Sequence, residues 1–91
     1  MKTKNVTKEI LSSVQKILAD YSKDFSQLAE GVNQARHYLK DNVENKGLYA
    51  YVTTTINNPH ADNLEKILCT SLYDELNKFD YDVKTDIVGE N

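Results

Sequence analysis

Reading from Leu11 in steps of seven meets Leu11, Leu18, Phe25, Val32 and Leu39, and the interleaved positions are Val14, Tyr21, Leu28, Ala35 and Asn42. Nine of these ten are apolar and the phase never slips, which is the a/d pattern of a coiled coil. Ile10 and Ile17 widen the stripe at its start, while Ser12, Lys16, Gln27, Glu30 and Gln34 occupy polar faces. A continuous helix over 7–45 would be about 55–60 Å long. A compact domain of this size spans only about 25–30 Å, so such a helix would need a second chain to cover its stripe. The competing reading is a helical hairpin broken at "DYSKDF", with Ser22 as N-cap and Asp24 in the next first turn. No glycine or proline marks that break, and Tyr21 and Phe25 hold phase across it. The pattern therefore favours one long amphipathic helix, kinked near Ser22 if it bends.

The pattern changes after Gly47. In "LYAYVTTTI", Leu48, Ala50, Val52, Thr54 and Ile56 alternate with Tyr49, Tyr51, Thr53 and Thr55. β-branched and aromatic residues at period two predict a strand. Asn58-Pro59 is one helix start signal and Asp62-x-x-Glu65 an alternative capping box. The helix that follows carries Leu64, Ile67, Leu68, Leu72, Leu76 and Phe79 on one stripe. "DYDVKTDIV" then alternates again, with Tyr81, Val83, Thr85 and Ile87 on one face. The expected fold class is thus α+β, mostly helical. A single domain, 1–91, holds a long helix or helical hairpin over 7–45 and a strand-helix-strand unit over 47–91. Two parallel strands alone are marginal and leave unpaired edges, which again points to self-association.

Composition adds limits rather than a function. At 40% hydrophobic and 27% charged the chain is ordinary for a globular protein. No run approaches the length of a membrane span, and the start "MKTKNVTKEI" lacks the apolar core of a signal peptide. A cytoplasmic location is expected, and Cys69, the single cysteine, excludes an internal disulfide. Residues 1–45 carry seven basic and six acidic groups, whereas 46–91 carry four and eight. The acidic second half disfavours nucleic acid and favours a basic protein partner.

No chemical constellation stands out. His37 falls on the polar face of the heptad, and His60 with Cys69 lacks further ligands at zinc-like spacing. The aspartates of "DYDVKTD" do not form a calcium loop, since Lys84 and Thr85 stand where a ligand and a glycine are needed. Neither a metal, a cofactor nor an enzyme activity is expected. "KGLYAYVTT" resembles the aromatic signature of RNA-recognition motifs, with Tyr49 and Tyr51 spaced as stacking platforms. Leu48 is an insertion relative to that signature, and a helix stands where the motif's earlier strands belong.

In its order of elements, up to the closing "YDELNKFDYDV", the chain resembles small accessory and structural proteins of tailed phages, and its Lys/Asn-rich composition without tryptophan fits an AT-rich genome. The resemblance carries no signature motif and implies no site residue. The leading expectation is a non-enzymatic assembly protein that self-associates through Leu11, Val14, Leu18, Tyr21, Phe25, Leu28, Val32 and Leu39. The alternative is an acidic inhibitor or regulator that docks on a basic site of a target protein, with Tyr49, Tyr51, Asp80, Asp82 and Asp86 as contact residues. RNA binding through the two tyrosines is the third.

Overall fold

The computed structural model describes residues 2–79. Four helices account for most of them: α1 (Lys8–Tyr21), α2 (Leu28–Asn42), α3 (Asn45–Ile56) and α4 (Asn63–Phe79), with a short 3-10 turn at Phe25–Gln27. Among the described residues the only β pairing is an isolated parallel bridge between Thr3 and Val43. The chain is a helical bundle, and the expected α+β class with a strand over 47–56 is overturned. The second expected strand lies outside the described residues, as do Asp80, Asp82 and Asp86.

The stripe over 11–39 bends back on itself. Thr7 caps α1 by accepting from the Ile10 amide at 3.2 Å. Ser22 then closes α1: its amide donates to the Leu18 and Ala19 carbonyls, and its hydroxyl donates to Ala19 at 2.9 Å. Ser22 is thus a C-cap rather than the N-cap of the competing hairpin reading. Asp24 supplies the next start by accepting from the Ser26 amide and hydroxyl. Six residues of turn and 3-10 structure, Ser22 to Gln27, suffice to reverse the chain, and the single long helix gives way to an α1–α2 hairpin. Gly31 lets the two helices touch, because a Cβ there would lie 2.5 Å from the Tyr21 Cβ.

The segment expected as a strand is helical for a reason of burial. Gly47, Leu48, Tyr49, Val52 and Thr55 are its buried residues, a spacing that follows one helical face. Ala50 and Thr54, which a strand would place with Leu48 and Val52, are exposed. Burying Leu48 and Val52 completely outweighs the modest helix propensities of the threonines. Thr53 returns its hydroxyl to the Tyr49 carbonyl at 2.9 Å, as β-branched hydroxyls do inside helices.

α4 begins where the capping-box reading puts it, with Asp62 accepting from the Leu64 amide at 3.0 Å. α3 and α4 form a second hairpin. The two hairpins join through α2 and α4: Arg36 donates to the Ser71 hydroxyl at 2.9 Å and pairs with Glu75 at 3.3 Å, and Lys40 also reaches Glu75. Both Arg36–Ser71 and Lys40–Glu75 are offset by 35 residues, so α2 and α4 run parallel, side by side. The core between the hairpins contains Val14, Leu39, Leu48, Val52, Leu68 and Leu72, each fully buried. The N-terminal segment straps across the α2–α3 junction, where the Thr3 amide donates to Asn42 and the Glu44 amide donates to Thr3.

Candidate functional site

α2 and α4 touch at one end and part at the other. Where Arg36 meets Ser71 and Glu75 they are pinned together. Toward their N-termini they leave an open groove of about 570 Å³ walled by Leu28 and Val32 from α2 and Leu64 and Ile67 from α4. Helix α1 packs against α2 and α3 against α4, and neither covers this side. Ile67 is 55% exposed there, and Phe25, in the turn three residues before Leu28, is 88% exposed. These are the exposed large hydrophobic residues among those described.

The charge around the groove is acidic. Glu30 lines it directly. A smaller depression of about 300 Å³, between the end of α1 and the start of α4, shares Leu64 with the groove and adds Asp62 and Glu65. Arg36, the cation of the lining, is already occupied by Glu75, Ser71 and Asn33. Glu30 thus lines an apolar trough whose own cation is neutralised, with Asp62 and Glu65 in the adjoining depression.

The residues expected to mediate self-association divide three ways. Val14, Leu18, Val32 and Leu39 are buried in the chain's own core; Leu11, Tyr21 and Leu28 are half-buried; Phe25 alone stands free. Tyr49 is buried, with its ring 5.7 Å from that of Tyr73 and tilted by 47°. Burial first, and then the neighbouring Tyr73, raise the Tyr49 pKa. Tyr51 is half-buried and its hydroxyl donates to Glu65 at 2.5 Å. Burial, reinforced by that bond, pushes its pKa well up. Buried Tyr49 presents no face on which a base could stack.

Among the described residues the single thiol is not activated either. Burial pushes the Cys69 thiol up to about 11, although Tyr51 and Thr55 hydrogen-bond it in the opposite sense. It is a protonated packing residue, not a nucleophile. Among the described residues no three His, Cys, Asp or Glu side chains gather as metal ligands, and no helix is long and apolar enough to cross a membrane.

The apolar stripe of α4 predicts a core place for Ile67. Its neighbour Leu68 takes that place, fully buried, and leaves Ile67 outside. The available signal was the width of the apolar arc: Leu64, Leu68, Leu72 and Leu76 form one complete i+4 row, so Ile67 needed a second neighbour. Compared with protein-family models, curated proteins and solved structures, the chain matches none. The likeness to tailed-phage proteins, which rested on the order of elements, gains nothing from them.

Proposed function

We propose that this chain is a non-enzymatic interaction protein that acts by docking on another protein through the α2–α4 groove. The observation that carries the reading is exposed Ile67 in the wall of an apolar groove, with exposed Phe25 three residues before Leu28 of the same groove, where the other large hydrophobic side chains among the described residues are buried or half-buried. Leaving apolar surface in water is unfavourable by about 25 cal/mol per Å², and a contiguous apolar recess marks a contact surface more often than an accident of packing.

Self-association through the heptad stripe draws little support, because Val14, Leu18, Val32 and Leu39 are spent inside the chain. The reading favoured instead is the regulator or inhibitor type, with the contact surface moved from Tyr49, Tyr51, Asp80, Asp82 and Asp86 to the groove. The test is capture of a partner from the cell that makes the protein, followed by reconstitution from purified components. The Phe25→Ser/Ile67→Asp double variant should keep its helical circular dichroism and lose that partner. Equal affinity of the folded double variant for the reconstituted partner would overturn the reading.

A further inference from the structure

We infer that the occupant of the α2–α4 groove is a cationic amphipathic helix of a partner protein, an inference that rests on the docking reading above. Three features identify it. The first is shape. The groove lies between two parallel helices, and from Leu28 to Arg36 it extends eight residues along α2, or roughly 12 Å at 1.5 Å per residue. That is about two turns of a third helix laid along the trough, enough for apolar anchors at i, i+3 or i+4, and i+7.

The second feature is the lining. Leu28, Val32, Leu64 and Ile67 offer aliphatic surface without the converging donors that fix a small polar ligand. The polar end, Asn33, Arg36 and Ser71, is engaged in its own hydrogen bonds. The occupant therefore brings an apolar ridge, and its polar groups lie outside the trough.

The third is charge, and it decides between a foreign helix and a second copy. Glu30 projects from one wall, and Asp62 and Glu65 stand beside Leu64 at the other. Glu30 and Asp62 are exposed, and their carboxylates accept hydrogen bonds from Gln34 and from the Leu64 amide. A second copy of this chain docking by the same face would bring the same carboxylates against these, at a cost in like-charge repulsion. Lysine or arginine flanking an apolar ridge would meet them favourably. The basic groups close in sequence, Lys23 and Lys66, do not line either recess.

The test uses two synthetic helices of about 14 residues, one of leucine and lysine and one of leucine and glutamate, with the same apolar face. Each is titrated into the isotope-labelled full chain and followed by backbone amide shifts. The leucine-lysine helix should perturb residues 28–36 and 64–71 and bind roughly ten-fold or more tighter than its glutamate counterpart at low salt. Raising salt from about 0.05 to about 0.3 M should remove most of that preference. Ile67→Asp should abolish the groove shifts. The Glu30→Gln/Asp62→Asn pair, which keeps an amide cap at position 62, should weaken only the lysine helix.

Equal binding of both helices at the groove would overturn the cationic assignment and leave the docking reading standing. Shifts elsewhere on the surface, or none, would overturn the helix assignment. Docking itself falls only on the reconstituted-partner test. A concentration-dependent dimer that Ile67→Asp dissociates would assign the groove to a second copy instead.

Discussion

Gly31 sits so close to Tyr21 that a methyl group at position 31 would lie 2.5 Å from the Tyr21 Cβ and 3.1 Å from its Cγ. Helices α1 and α2 thus meet with no room for a side chain on one of them, and this contact closes the hairpin that the heptad stripe conceals. Gly31→Ala should therefore lower stability by about 1–2 kcal/mol, because overpacking exceeds the gain of roughly 1 kcal/mol in helix propensity. The rescue is diagnostic. Tyr21→Ala keeps the offending Cβ and should leave the Gly31→Ala penalty in place, whereas Tyr21→Gly should relieve it. Urea midpoints for the five single and double variants measure this coupling, and an additive cycle with Tyr21→Gly would contradict the close approach.

A second close approach ties down the N-terminal strap. A Cβ at Gly47 would fall 2.1 Å from the Lys4 carbonyl oxygen and 3.0 Å from the Asn5 Cα. Backbone cannot yield as a flexible side chain does, so Gly47→Ala must lift the strap and break the Thr3 bonds to Asn42 and Glu44. Loss of amide protection at Glu44 in hydrogen exchange is the expected outcome. In a chain lacking residues 1–6 the same substitution should become stabilising by about 0.4–1 kcal/mol, since only the entropy of the unfolded state then changes.

The two hairpins were legible in the sequence to different degrees. The apolar stripe over 11–39 supplied core residues correctly, because Val14, Leu18, Val32 and Leu39 are buried whether one chain or two cover them. Their partner could not be read from spacing: Phe25 keeps the heptad phase yet is 88% exposed, its position set by the Ser22 and Asp24 caps. The misread strand failed for a related reason. Leu48, Val52 and Ile56 lie four apart, a spacing that satisfies period two and helical periodicity alike, and β-branched neighbours tipped the reading toward a strand. Burial against α4 settled it the other way. The groove needs two helices distant in sequence, so only the surplus width of the α4 arc pointed to it.

Cys69 and Tyr51 make the bundle sensitive to alkali. The thiol's ordinary value of 9.0 is pushed up to about 11 by burial, so the folded state holds its proton where the unfolded chain releases it. The raised value contributes stability that is complete below pH 9 and lost as pH rises from 9 through 11. Tyr51, raised above its ordinary 10.0, acts in the same direction at higher pH. The urea midpoint should fall steadily above pH 9, and Cys69→Ala should flatten the first part of that fall. At pH 8 the folded thiol should resist a thiol-labelling reagent that modifies the unfolded chain at once.

Ile67 and Leu68 are neighbours with opposite roles. Leu68 is fully buried and Ile67 is 55% exposed. Leu68→Ala should cost about 2–4 kcal/mol through lost burial and the cavity left behind. Ile67→Ser should change stability by less than about 0.5 kcal/mol, as surface substitutions do. Calorimetry on the two variants separates them, and comparable losses would place Ile67 in the core and close the groove.

The apolar stripe is consumed within one chain, and the acidic border of the groove turns away a second copy. Light scattering behind size-exclusion chromatography, across a wide range of protein concentration, tests both at once. The expected result is a single species of 10.4 kDa throughout. A stable multiple of that mass, persisting on dilution, would mean that the residues over 11–39 or the groove itself serve self-association, and would contradict the account.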